Sequence, residues 1–219
     1  ISCEGTDSTF TVTVNPQIRM NKVADQVICH NTQMSAVTFS TTMTGGTTTY
    51  AWSRNNTTNV TGVANSGTGN ISAATLLNTT TEPQTVTFTV RPTYTANGIS
   101  CEGTDSTFTV TVNPQIRMNK VADQNICHNT QMTAVTFGTT MTGGTTTYAW
   151  TRDNDNVTGI ATSGTGDIDA TVLKNTTTTP QTVTFTVRPT YTANGISCEG
   201  ADSTFTVTVN PQIRMNKVA

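Results

Sequence analysis

The chain has 219 residues and a formal net charge of −2, with 11% charged and 34% hydrophobic residues, while threonine fills 55 positions. So small a charge argues against a nucleic-acid partner or an acidic tail, and no apolar run approaches the ~18 residues of a membrane helix. Threonine at this density suits pleated, half-wet strands better than helix interiors, and with no leader-type segment at its start the chain reads as an internal stretch of a longer protein.

Residues 9–14 set Phe10, Val12 and Val14 on one face of a predicted strand, with threonine on the other. The block that carries them, residues 1–24, returns intact at 99–122 and again at 196–219, where Ala201 replaces Thr6. Val37 and Phe39 alternate in the next predicted strand, then Tyr50 and Trp52 after Gly45-Gly46. Gly67-Thr68-Gly69 punctuates the chain before residues 85–90, TVTFTV, where Val86, Phe88 and Val90 share a face. Asn97-Gly98 is a hairpin signal, Phe108, Val110 and Val112 alternate after it, and Pro114 ends that strand because it cannot donate to a ladder. The pattern predicts about six to eight short strands per module and no helix.

Cys29 recurs as Cys127 and Trp52 as Trp150, each 98 positions on. That period is too long for a solenoid unit and matches one immunoglobulin-sized sandwich of about 100 residues. The expected organisation is an all-β chain of tandem immunoglobulin-like antiparallel β-sandwiches. Modules are placed at residues 22–118 and 119–219, joined by a short, semi-rigid stretch at 115–124. Residues 1–21 are the closing strand of a truncated upstream repeat, and its unpaired face invites strand addition to another copy. Trp52 and Trp150 are the candidate central core residues of their modules.

Five cysteines imply an oxidising, extracytoplasmic setting. The predicted pairs are Cys29–Cys101 and Cys127–Cys198, with Cys3 unpaired. This reading puts Cys29 at the start of the first strand, at the same pole as the loop carrying Cys101, and takes Cys3 to be about 30 Å from the next module, too far for a bridge.

The order of a cysteine, AVTF, YAW, SGTG followed by Asn or Asp and Ile, PQTVTFTV, PTYT, a second cysteine and STFTVTVNP resembles the PKD-like, immunoglobulin-like repeats of large surface adhesins of Bacteroidota, including the mobile adhesins of gliding bacteria. The resemblance covers essentially the whole chain. It implies a β-sandwich fold, a place outside the cell or on the bacterial surface, and a structural or adhesive role. Asp-Ser-Thr at Asp7, Asp105 and Asp202 resembles the O-glycosylation pattern of the same bacteria, making Ser8, Ser106 and Ser203 candidate acceptors.

Catalytic and metal chemistry find little support. His30 and His128 stand beside Cys29 and Cys127, without the second pair a zinc site needs, and read as solvent-facing. Asp153, Asp155, Asp167 and Asp169 are weak calcium candidates, since the first module has Asn55, Asn56, Asn70 and Ser72 at comparable places. Asp25, Asp123, Glu102 and Asp105 form a second weak set near the junction. The basic residues Arg19, Lys22, Arg117, Lys120, Arg214 and Lys217 read as linker charges. Asn78 and Asn175 are among seven Asn-x-Ser/Thr sites. The role expected is a non-enzymatic stalk of a surface adhesin, with neighbouring repeats as its partners, no nucleic acid and no cofactor. A strand-added surface filament and a glycan-binding or spacer module of a secreted enzyme are the alternatives.

Overall fold

The computed structural model describes residues 1–215, so Lys217 lies outside the described residues. Each of two modules has nine strands and, among the described residues, no helix. In the first they are β1 (Gln26–Ile28), β2 (Thr32–Met34), β3 (Thr47–Arg54), β4 (Val60–Thr61), β5 (Ser66–Thr68), β6 (Ala74–Asn78), β7 (Gln84–Ala96), β8 (Ile99–Glu102) and β9 (Ser106–Val112). The second repeats them as β10 (Gln124–Cys127), β11 (Thr130–Gln131), β12 (Thr145–Arg152), β13 (Val157–Thr158), β14 (Ser163–Thr165), β15 (Val172–Asn175), β16 (Gln181–Ala193), β17 (Ile196–Glu199) and β18 (Ser203–Asn210).

A six-stranded sheet, ordered β1-β9-β7-β3-β5 with β8 also on β7, faces a three-stranded sheet ordered β2-β6-β4. The long strand β7 is the spine. Its burial alternates along all thirteen residues, so Val86, Phe88 and Val90 enter the core while threonines line the other face. Phe88 stacks on Phe108 with ring centroids 4.8 Å apart; Met34, Val60 and Leu76 close over them from the smaller sheet, and Phe39 joins them from the segment after β2. Outside, Thr85 and Thr111 hydrogen-bond through their hydroxyls at 3.0 Å, a cross-strand pair that helps hold the wet face. The second core repeats this around Phe185 and Phe205.

The sandwich is not wholly antiparallel. β1 pairs with β9 in parallel, Gln26 opposite Val110 and Ile28 opposite Val112, and β10 pairs with β18 likewise. The first strand of a module therefore ends where its last strand ends, at the C-terminal pole. Asn97 and Gly98, at φ 51° and 75°, make the tight turn that folds β8 back on β7 at the opposite, N-terminal pole.

Residues 9–14 form no strand. Their sequence twins in β9 and β18 lie beside β7 and β16, and a strand needs such a neighbour for its backbone groups. Phe10, Val12 and Val14 are correspondingly exposed.

Trp52 and Trp150 are buried but sit over Gly67 and Gly164 beside the edge strands β5 and β14, while the phenylalanine pairs hold the centre. A methyl group on Gly67 would stand 2.5 Å from Trp52 Cζ2. Gly67→Ala should therefore destabilise the first module by about 1–3 kcal/mol, the usual cost of overpacking, read as a lower urea midpoint with the slope unchanged.

Candidate functional site: the junction between modules

The feature that distinguishes this chain is the joint between its two sandwiches. The C-terminal pole of the first module meets the N-terminal pole of the second. Asn113, just past β9, is fully buried and donates through Nδ2 to the carbonyl of Ala193 at 3.1 Å and towards Cys198 Sγ at 3.7 Å. Its backbone N–H donates to Ile28 O at 2.8 Å, fixing the linker to the end of β1. Ile116 follows into a small apolar cluster with Met141, Tyr191, Ala193 and Cys198. Thr142 N donates to Thr81 O across the joint at 2.9 Å, and Pro83 packs against Gly143, where φ is +75° and an added Cβ would come within 2.8 Å of the proline ring. The linker is thus part of a packed interface and not a tether.

A disulfide crosses the same joint, between Cys29 and Cys198, with Cα atoms 5.7 Å apart. This corrects the expected pairs Cys29–Cys101 and Cys127–Cys198. The error lies in the pole assigned to Cys29. Because β1 is parallel to β9, Cys29 lies just past Val112, opposite Gln84, whereas Cys101 faces Tyr94 ten residues further along β7. At about 3.3 Å per residue the two are separated by roughly 33 Å, and Cys127 is separated from Cys198 in the same way. Cys3, Cys101 and Cys127 carry free thiols.

Beneath Cys29 the pole is tied by Asn78, only 2% exposed. Its Nδ2 donates to Glu82 O and Val112 O, both at 2.8 Å, and its Oδ1 accepts from Thr80 N at 2.8 Å. Asn175 repeats this in the second module. These two asparagines are cross-sheet ties, buried beyond reach of a modifying enzyme. His30 is half-buried instead of solvent-facing: its Nδ1 lies 3.0 Å from the carbonyl and 3.1 Å from the N–H nitrogen of Asn78. His128 Nδ1 lies 3.0 Å from the Asn175 carbonyl in the matching position.

The four calcium candidates are not brought together as a ligand set. Asp153 Oδ1 accepts from Thr184 N at 2.7 Å and Asp167 Oδ1 from Phe137 N at 2.8 Å. Asn55 and Asn70 accept in the same way from Thr87 N and Phe39 N, so either residue type serves. Asp155 is exposed and lies 3.8 Å from the Arg152 guanidinium, and Asp169 is exposed. Among the described residues no group of three or more His, Cys, Asp or Glu gathers around a common point. The cation inside this loop is Arg152 itself, whose side chain is 6% exposed and donates to the carbonyls of Asp153, Asn154, Ile160 and Ala161 at 3.0–3.2 Å. Arg54 does the same in the first module, where burial lowers its pKa. Sequence reasoning missed both arginines. Their only signal was an arginine closing a threonine-rich strand.

The weak junction set is dispersed too. Asp25 and Asp123 accept at 2.6 Å from Thr109 N and Thr206 N, bracing the parallel strand pairs. Asp105 and Asp202 form two-point ion pairs with Arg91 and Arg188, and Glu102 lies 3.6 Å from Arg91. Ser106 and Ser203 open β9 and β18 and are half-buried there, while Ser8 is exposed. Arg117 donates to Gln115 Oε1 within the linker, and Arg19, Lys22, Lys120 and Arg214 are exposed.

Non-reducing peptide mapping of the oxidised chain should recover a Cys29–Cys198 peptide and no Cys29–Cys101 peptide. The acid response has a definite sign. Backbone N–H donors hold Asp25 and Asp123 below the ordinary 3.8, and Arg91 holds Asp105 below it. The unfolded state therefore takes up these protons first. The stabilisation is present above the unfolded value and is lost as pH falls through the lower folded values. Asp25→Asn with Asp123→Asn should flatten the fall in melting temperature between about pH 5 and about pH 2.

No curated protein matches the chain. Among solved structures, the collagen adhesin of S. aureus is similar at 10% identity and a TM-score of 0.23, over 90% of this chain and 92% of that one. The PKD-like domain family matches residues 26–116 and 124–213, and the chain belongs to that family as two tandem copies.

Proposed function

We propose that this chain is a stalk segment of a large bacterial surface adhesin of the Bacteroidota type, which sets the modules around it at a distance from the cell. The observation that carries this reading is the joint: two PKD-like modules meet pole to pole through a buried linker and a disulfide. Such a joint holds direction from one module to the next and keeps the pair extended. The disulfide supports a place outside the reducing cytoplasm. No helix among the described residues is long and apolar enough to cross a membrane.

A structural role also fits where the aromatic side chains go. Both tryptophans, the paired phenylalanines, Tyr94 and Tyr191 are buried. Glycan recognition would call for such rings on the surface. Antibody raised against the chain should label intact, unpermeabilised cells of the source bacterium, and labelling only after permeabilisation would overturn the reading. In solution the oxidised chain should scatter as a rod of roughly 80 Å, two lengths of a thirteen-residue strand placed end to end.

A further inference from the structure

The segment that enters the first module is seated as the internal linker is. Asn15 Nδ2 lies 3.8 Å from Cys101 Sγ, as Asn113 Nδ2 lies 3.7 Å from Cys198 Sγ. Ile18 is buried with Tyr94 and Ala96, as Ile116 is with Tyr191 and Ala193. A Cβ on Gly103 would stand 3.0 Å from that of Ile18, and one on Gly200 would stand 3.0 Å from that of Ile116. Thr41 Oγ1 donates to Arg19 O at 2.8 Å, and Thr139 Oγ1 to Arg117 O at 2.7 Å. The first module thus holds a linker in the same place, by the same contacts, as the second. That linker continues residues 1–14, which are identical to the β8–β9 block at 99–112. Such a block closes a module, so the seat beside Cys101 suits the end of a preceding repeat.

What the internal joint adds is cover. Asn113 and Pro114 are buried, whereas Asn15 is half-buried and Pro16 exposed. Cys198 is 4% exposed, whereas Cys101 is half-exposed. The second module ends on the other half of such a joint. Cys127 is exposed and pairs with Asn210 at the end of β10, as Cys29 follows β1 beside Asn113. Pro180 is exposed where its twin Pro83 is half-buried against Gly143. Lys174 and Thr179 replace Leu77 and Glu82 at this pole, so its rim is more basic while the cysteine, the asparagines and the proline are kept.

We propose that the Cys29–Cys198 bridge is one of a series along a single polypeptide. Cys101 takes the first-strand cysteine of a preceding PKD-like repeat, and Cys127 takes the hairpin cysteine of a following one. Each joint holds one linker asparagine, and that asparagine leaves the same pole as the cysteine being delivered. Asn15 therefore serves the joint before the first module and Asn210 the joint after the second. A separate chain that brought its own linker would find the place beside Cys101 filled. A neighbour on the same chain brings the seated linker itself, and it holds its thiol near Cys101 at high effective concentration. Each bridge forms by thiol–disulfide exchange with a small-molecule disulfide. One cysteine thiolate attacks the oxidant to give a mixed disulfide and one released thiol, and the second cysteine displaces the other. One Sγ–Sγ bond forms, the oxidant's S–S bond breaks, and its two sulfurs leave as thiols carrying the two cysteine protons. The series goes beyond the stalk reading, which would hold for modules joined by linkers alone.

The test is a fusion in which the full chain, carrying Cys3→Ser, is followed directly by a second copy of residues 25–219. Ala219 then meets Asp25 as Ala24 does, and the second module of the first copy becomes the preceding repeat of the next. After oxidation in a glutathione redox buffer, non-reducing peptide mapping of the monomer should recover one Cys101–Cys127 bridge per molecule beside the Cys29–Cys198 bridges. Cys127→Ser in the first copy alone should abolish the Cys101–Cys127 peptide. It should keep the Cys29–Cys198 peptides, which show that the modules are folded. The unfused chain at the same concentration should yield about a tenth as much Cys101–Cys127 peptide or less, all of it between molecules. Cys101 and Cys127 left unlinked in the fusion, a bridge that survives loss of the first copy's Cys127, or an equal yield from the unfused chain would overturn the series. A fusion without Cys29–Cys198 peptides would overturn it too, by removing the joint from which it is drawn.

Discussion

In each module the first strand lies parallel to the last, and both therefore finish at the same end of the sandwich. β1 joins the large sheet beside β9, held by the parallel register and by the Asp25 carboxylate on the Thr109 amide. The residues just past Ile28 and Val112 consequently emerge side by side. One carries the Cys29 thiol and the other the linker, so the covalent bridge and the backbone connection leave the module at the same pole. The β7–β8 type of hairpin is the complementary half: in the second module it carries Cys198 to the opposite pole, where it receives both.

The strands were legible because their chemistry is local. Alternation of Val, Phe and Thr along β7 and β9 states which face is buried without reference to any partner. Asn97-Gly98 likewise announces its own turn. What escaped was nonlocal. Nothing in the residues around Gln26–Ile28 distinguishes a parallel neighbour from an antiparallel one, yet that choice moves Cys29 from one end of the module to the other. Residues 9–14 show the converse case, where a strand pattern identical to that of β9 forms no strand because no β7 lies beside it.

The candidate site was legible only in its ingredients. The repeated cysteines and the Asn-Pro linker were visible, but their meeting depended on the pole. The oxygen-rich loop at Asp153 and Asp155 resembled a cation site, and its carbonyls do surround a cation, the guanidinium of Arg152. An arginine fixed in the chain serves a loop whose ligands vary between Asn and Asp, because the carbonyls do the binding. This explains how the two modules can differ in acidic residues here and still fold alike.

The Cys29–Cys198 bridge spans a sequence separation of 169 residues, which takes in nearly all of both modules. Tension applied at the two ends of the chain passes through the sulfur–sulfur bond, and the strands between those cysteines bear none of it. At about 3.4 Å per extended residue, roughly 570 Å of contour is withheld from stretching. In the oxidised chain the strands between those two cysteines therefore cannot be drawn out under load. Reduction of one covalent bond would change it into a long, compliant tether.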